Sequence, residues 1–466
     1  MNNNLKFIPT PLQKRYLSCP ADDIHFGGNK GSGKTVTLAI EAFIDAMKYP
    51  GLRIALFRRS LVELESTIIK ECMYFYPKHL YKYISQKRKM VFVNGSTIYF
   101  NYLESEKDLL QHQGVEYDFI GFDEAGNHNE SHLNVLYACL RTKRSDYRTK
   151  WRVNSNPIGI GKGYLVRRFV KGKTPFAIYY TPETMSLPVE KRRTMCFIPA
   201  KMGDNPHLLE KNPAYYEQLK LLPPEMQKAL IYGDYESRSG AVFSTFNEKI
   251  HVEWEDYIPK PDDQLFISYD HGTIKPFSVG WYAIDSMGTI HLYRSYYGCV
   301  GQNPDQGLNL IIEDIAYNII SMCGNEQYKF MVVDYAIDEH KGYEATIYEK
   351  LYKIMQSRNI TVIKCSKNRQ QGISNIQSAL IINPMTRQPR FMISPSCKYA
   401  IMQLNDVIYN DQGTDLEKGQ IEHEVDQMIY FFNTRPSFTI IPNSQKFPEG
   451  SVGYRINKLL EEEKKK

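Results

Sequence analysis

The sequence predicts an α/β protein of two domains, with a mainly parallel sheet in the first and a mixed sheet in the second. Three observations carry that prediction. A glycine-rich loop, Gly27 to Thr35 (GGNKGSGKT), stands between an apolar patch, Ile24 to Phe26, and a helical run, Val36 to Met47. Short apolar runs that end in acidic or polar residues recur along the chain, as strands buried on both faces do. At 466 residues the chain also exceeds what one ordinary core supports.

The loop contains G-x-x-x-x-G-K-[ST], with Gly28, Gly33, Lys34 and Thr35 at the fixed positions, in the strand, loop, helix order that a phosphate cradle requires. Backbone N–H groups of Gly28, Lys30, Gly31, Ser32 and Gly33 are expected to close on a polyphosphate, and the helix adds its positive N-terminal end. Lys34 would reach the β- and γ-phosphates and Thr35 would hold Mg²⁺, so ATP is the expected nucleotide. Upstream, Gln13 either reads an adenine edge through two hydrogen bonds or is an ordinary polar helix residue. Arg53 to Phe57 reads as a buried strand with Arg58 and Arg59 at its carboxyl end, where open α/β sheets place ligands; these arginines either face the nucleotide or cap surface charge. Met90 to Val93 and Thr97 to Leu103 flank Asn94-Gly95, a hairpin signal.

Tyr117 to Ala125 (YDFIGFDEA) describes a buried strand delivering Asp123 and Glu124 to the sheet edge. Paired with the loop, Asp123 is expected to bind Mg²⁺ through water and Glu124 to polarise the attacking water. The strand Trp151 to Pro157 follows and ends in Asn154, Ser155 and Asn156. These suit a γ-phosphate sensor, or form a plain turn, since Asn-Pro is turn chemistry by itself. From Tyr232 to Asp263 periodicity is lost and Pro and acids accumulate, which places a boundary at about 237–262.

Beyond it, Gln264 to Gly272 is an apolar strand ending in Asp270, followed by a period-two meander around the turn Asp285 to Gly288. Lys329 to Ala336 is another buried strand, ending in Asp334. Ile421 to Phe432 reads as a helix carrying His423 and, one turn on, Asp426. Strand-Asp, meander, strand-Asp, helix-Asp is the order of an RNase H-like metal nuclease, in which three carboxylates converge on two Mg²⁺ or Mn²⁺ ions roughly 4 Å apart. His271 and His423 are either groups that position water at such a centre or packing and surface residues. Lys367 and Arg369 either hold a DNA phosphate or belong to a solvated loop.

Composition is that of an ordinary globular chain, 42% hydrophobic and 24% charged. No apolar run approaches the length of a membrane span, the first residues lack a signal-peptide core, and an intracellular protein is expected. The eight cysteines contain no C-x-x-C pair, which argues against zinc ribbons and a disulfide framework. Net charge is +6, yet between Arg141 and Arg193 fourteen Lys and Arg face three acids, a local +11 against −5 for the rest. Such a cluster predicts a polyanion surface, or else a solvated face or subunit contact.

Read together in order, GGNKGSGKT, FIGFDEA, NSNPIGIGKGYLVRRFV, FIPAKMGDNPHLLEKNPAYYEQL and LPPEMQKALIYGDYE resemble the ATPase half of the large terminase subunit of tailed bacteriophages. The second half resembles the nuclease domain of the same family, down to RFMISPSCKYAIMQLNDVIY, and the likeness runs from about residue 10 to 435. It implies a P-loop ATPase domain over 1–240, a linker over 241–262, an RNase H-like nuclease domain over 263–440 and a charged tail over 441–466. It further implies ATP-driven translocation of double-stranded DNA, endonuclease cutting of concatemers, and Asn154 to Asn156 as the coupling motif. Implied partners are a small terminase subunit, the portal and procapsid, in a ring of about five copies in the host cytoplasm.

Two departures stand out. Lys30 occupies a loop position where the family commonly has Arg, which leaves Arg58, Arg59 and Arg141 as candidate arginine fingers. Ser295 stands where the family often has an acid, so a fourth carboxylate is either missing or supplied from elsewhere, with Asp338, Glu339, Asp406 and Asp415 as options. Rival readings are an ATP-dependent helicase or repair nuclease, and a DNA-binding scaffold with an inactive second domain.

Overall fold

The computed structural model describes residues 7–434 except 238–239, 302, 339–344, 367, 385 and 411. Lys367, Glu339 and the tail over 441–466 therefore lie outside the described residues, as does the side chain of Asp338. The first sheet has nine strands: β1 (Asp23–Gly28), β2 (Arg53–Arg58), β3 (Tyr81–Ile84), β4 (Lys89–Phe92), β5 (Thr97–Tyr102), β6 (Phe119–Phe122), β7 (Lys150–Ser155), β8 (Ile178–Tyr180) and β9 (Thr194–Ala200). Their order is β3-β4-β5-β2-β6-β7-β1-β9-β8. The six central strands, β5 to β9 in that order, are parallel, and the outer β3, β4 and β8 pair antiparallel.

Parallel strands covered on both faces are mostly apolar, and the polar residues they bury, such as Asp23 and Arg152 here, are paired. The burial pattern agrees: Ile54, Leu56 and Phe119 meet Leu38 and Ala42 of the helix Lys34–Lys48 on one face, while Phe57, Phe122, Trp151 and Val153 pack on the other. The same parallel arrangement turns the carboxyl ends of β1, β2, β6 and β7 to a single edge. β9, embedded in a stretch the sequence reading assigned to no element, extends the sheet beside β1, with Gly28 opposite Ala200.

The second sheet is mixed. It comprises β10 (Gln264–Asp270), β11 (Ser278–Ile284), β12 (Ile290–Tyr297), β15 (Tyr328–Val333), β16 (Val362–Lys364) and β17 (Phe391–Ile393), while β13 (Cys299–Val300) and β14 (Asn303–Gly307) form a separate ribbon. The order is β16-β15-β10-β11-β12-β17, with β10, β11 and β12 as the antiparallel meander. The helix His423–Asn433 lies across it; Phe431 stacks on Tyr282 at 3.8 Å between centroids. Gly280 permits that approach, because a Cβ there would meet Gln427 Oε1 at 2.4 Å.

Residues 241–262 contribute to this second unit: Val242, Phe243 and Phe246 are buried in its core, and His251 Nε2 lies 2.8 Å from the Leu380 carbonyl. The two sheets are joined by polar contacts. Arg167 pairs with Glu130 and with Asp406, Arg59 with Glu417 at 3.4 Å, and Asn129 Nδ2 donates to the Gly419 carbonyl at 3.3 Å. Among the described residues no helix is long and apolar enough to cross a membrane.

Candidate functional site

Two clusters of side chains stand at carboxyl strand ends, one per sheet. In the first, β1 runs into the glycine loop, where Gly28, Gly31 and Gly33 have φ of 131°, 86° and 82°. Positive φ favours glycine, and Gly28 also lies so close to Ala200 that a Cβ would come within 2.2 Å of its carbonyl oxygen. The buried Lys34 Nζ donates to the Asn29 carbonyl at 2.6 Å and to Asn156 Oδ1 at 2.9 Å. Burial lowers its pKa, with Glu124 and Asp123 opposing. Thr35 Oγ1 donates to Asp123 Oδ1 at 2.9 Å, and Arg58 at the end of β2 pairs with Asp123 Oδ2. Burial raises Asp123 to about 6, with Glu124 adding to the rise and Arg58 opposing it.

Glu124 adopts a left-handed backbone, φ 62° and ψ 53°, which is strained for a side chain of this kind. Asn156 Nδ2 holds both its carboxylate oxygens at 3.2 Å, and Asn154 Nδ2 donates to the Lys34 carbonyl at 2.8 Å. Asn156 therefore bridges cation and carboxylate with opposite ends of one amide. This follows from topology: β7 lies between β6 and β1, so its end falls between the acids and the loop.

Gln13 sits directly behind the loop. Its Nε2 reaches the Gly33 carbonyl at 3.5 Å, and its Oε1 accepts from Thr10 N at 2.9 Å in a capping box. The Lys30 side chain is exposed, while its N–H donates to Leu230 O at 2.9 Å. Ser32 Oγ donates to Asn29 O at 3.2 Å, and Gly31 O accepts from Asn205 Nδ2 at 2.7 Å. Of the candidate fingers only Arg58 touches the cluster. Arg59 faces Glu417, and Arg141 bonds Tyr117 at the amino end of β6, across the sheet.

In the second cluster, Asp270 ends β10, Asp334 follows β15, and Asp426 projects from the helix His423–Asn433. Asp270, His423 and Asp426 offer ligand atoms within 4.8 Å of one another, a set of hard oxygens and imidazole that fits a divalent ion. His423 Nδ1 donates to Asp270 Oδ2 and Tyr430 OH to Asp270 Oδ1, each at 3.0 Å. Burial and the nearby Asp270 carboxylate push Asp426 well above the usual carboxylate range. Asp334 and Asp426 line one cavity of about 390 Å³ together with Cys365, Arg369 and Tyr430. His271 stands apart, its Nδ1 2.6 Å from Tyr269 OH.

Asp406 faces Arg167 at the domain contact, and Asp415 lies 3.6 Å from Arg369 Nε. Ser295 Oγ donates at 2.7 Å to Glu424, a buried carboxylate raised by that burial to about 7. The sequence reading missed Glu422 and Tyr430, which lie one turn before and after Asp426; helical spacing from that aspartate was the signal that could have found them.

The basic stretch is largely neutralised internally. Arg144, Arg148, Lys150, Arg152, Arg167, Arg168, Lys171 and Arg193 each form ion pairs, mostly with acids far away in sequence such as Asp22, Asp23 and Glu41. The local +11 thus overstates the charge free to meet a polyanion.

Residues 25–250 match the family model described as terminase large subunit, T4likevirus-type, N-terminal. Among solved structures the chain is similar to the large terminase of a thermophilic bacteriophage, with 17% identity, 92% of this chain and 99% of that chain covered, and a TM-score of 0.40. It is also similar to the large terminase of bacteriophage HK97, with 11% identity, 92% and 95% coverage and a TM-score of 0.47. A nuclease domain of the P22 large terminase matches 42% of this chain and 93% of its own, at 14% identity and a TM-score of 0.32. No curated protein matches the chain.

Proposed function

We propose, from the premise that residues 25–250 belong to the terminase large-subunit family, that this chain is a viral DNA-packaging enzyme with two catalytic centres. The first hydrolyses ATP to move double-stranded DNA into a procapsid, and the second cuts concatemeric DNA. One observation carries the reading: a phosphate loop braced by Asp123, Glu124 and Asn156, and an Asp270, His423 and Asp426 cluster, lie on the same chain.

In the first centre, Lys34 and the loop N–H groups would hold the triphosphate, and Thr35 with Asp123 would hold Mg²⁺, which lowers the charge of the reacting phosphate. Glu124 orients and polarises the attacking water, held in line by Asn156. A ligand that draws Lys34 onto its phosphates takes that lysine from Asn156, so the amide holding Glu124 reports occupancy. The loop 156–161 then connects the change to the helix and π-turn Lys162–Val170, whose Arg167 grips Asp406 of the nuclease unit. In the second centre, Asp270, Asp334 and Asp426 would hold two Mg²⁺ or Mn²⁺ ions, which supply an activated water and stabilise the leaving oxygen. The wider reading includes a small terminase subunit, the portal and a ring of about five copies in the host cytoplasm. A domain limit at about 240 belongs to the same proposal, while residues 241–262, expected as a linker, pack into the core of the second unit.

Purified chain incubated with supercoiled plasmid and Mn²⁺ or Mg²⁺, with and without ATP, tests it. Cleavage lost in Asp334→Ala but kept in Lys34→Ala, with ATPase activity showing the reverse, is the expected result. Absence of metal-dependent cleavage under every condition would remove the nuclease half of the reading. Unwinding of duplex DNA, without stimulation by procapsids, would replace the packaging reading with a helicase.

A further inference from the structure

Arg369 opens the helix Arg369–Leu380, whose N-cap is Asn368. The positive end of a helix disfavours a cation, so the guanidinium is held by its acidic neighbours. Its Nη2 lies 2.6 Å from Asp426 Oδ1 and 3.2 Å from Glu422 Oε1, and its Nε is 3.6 Å from Asp415. It also lines the cavity of about 390 Å³ shared by Asp334 and Asp426. Asp426 is thus claimed twice, by Arg369 and by the cluster with Asp270 and His423.

Resting on the reading of this centre as a two-metal nuclease, we propose that Arg369 is a positioning residue that opposes divalent-cation binding at Asp426 until a DNA phosphate takes up its guanidinium. A guanidinium and a divalent ion on one carboxylate repel each other across a few ångströms of poorly screened interior, so each weakens the other. A phosphodiester entering the cavity offers the planar fork a bidentate partner at least as good as Asp426. Glu422 and Asp415 remain behind as a tether, so the side chain turns toward the cavity without leaving the site. Asp426 is then no longer shared with a second cation, and DNA and metal bind cooperatively, each tightening the other by the same factor. Uncontrolled cutting is suppressed because the metals load poorly without substrate. The first centre shows the same pattern independently, with Arg58 on Asp123 beside Thr35.

Titration of Mn²⁺ into the full chain, with free ion followed by electron paramagnetic resonance, tests the proposal without relying on turnover. Arg369→Gln is expected to bind Mn²⁺ about tenfold more tightly than wild type. Arg369→Lys keeps the charge and is expected to bind as wild type does. A short DNA duplex is expected to tighten Mn²⁺ binding in wild type and to leave Arg369→Gln unchanged. Unchanged or weaker binding in Arg369→Gln, equally tight binding in the Lys and Gln variants, or an equal effect of duplex on wild type and Arg369→Gln would overturn it. Asp426→Asn separates the two readings: if it binds as many Mn²⁺ ions as wild type, the metal centre itself is misassigned, whatever Arg369 does.

Discussion

Replacing Asn156 by Ala removes the amide that joins Lys34 to Glu124. Asn156 accepts from Lys34 Nζ at 2.9 Å and donates to both Glu124 oxygens at 3.2 Å. A hydrogen bond to a charged partner contributes about 1.5–3 kcal/mol, and here there are two such partners. Lys34 retains the Asn29 carbonyl at 2.6 Å, which offsets its share of the loss. Glu124 keeps only the long bond from the residue 156 N–H at 3.4 Å, and its left-handed backbone, φ 62°, leaves it free to relax toward an unstrained conformation. A net loss of about 2–3 kcal/mol from the orientation of Glu124 corresponds to roughly a 30- to 150-fold fall in kcat. Nucleotide affinity should change little, because loop N–H groups and Lys34 remain. Phosphate release at saturating ATP gives kcat, and a fluorescent ATP analogue gives Kd. A kcat within threefold of wild type, or a loss confined to Kd, would refute the assignment of Asn156 as the residue that aims Glu124.

Three further substitutions probe the framework. Glu41 is held at about 2 by Arg152 and Lys150, against burial, the largest influence, which acts to raise it from 4.5. A depressed folded pKa means that this stabilisation is present above pH 4.5 and is lost as pH falls toward 2, so Glu41→Gln should lower stability by about 3 kcal/mol at pH 7 and flatten the acid limb of a denaturation profile. Arg167→Ala leaves Glu130 and Asp406 facing each other at the domain contact; with Arg167 34% exposed, about 1–2 kcal/mol is expected, measured as a lower first transition in calorimetry. Ser295→Asp sets a second carboxylate against the buried Glu424, in place of a 2.7 Å hydrogen bond, and should destabilise the second domain by several kcal/mol, on the order of 3, rather than complete a metal site. Urea denaturation followed by near-UV circular dichroism reads that change, and a gain in Mn²⁺ affinity would contradict it.

What the sequence alone determined about this protein is whatever chemistry is local to the chain. The loop Gly27 to Thr35 declares itself because its glycines, needed for the backbone turn, and its lysine and threonine, needed for their side chains, are neighbours. Asp123-Glu124, Asp270 and Asp334 are legible because an acid at the end of an apolar run marks where a buried strand reaches the edge of its sheet. The fold class follows from the same runs. Tertiary structure alone decided the pairings between those stretches. Asn156 lies between Lys34 and Glu124 because β7 inserts between β6 and β1, an order no spacing along the chain reveals. Arg58 on Asp123, Arg369 on Asp426 and His423 on Asp270 join residues separated by 65, 57 and 153 positions. Charge shows the difference most plainly. Counted along the sequence, residues 141–193 are strongly basic; in space Arg152 is buried on Glu41, and Arg168 and Arg193 close on Asp23. Coulomb energy falls with distance through the protein and takes no account of distance along the chain.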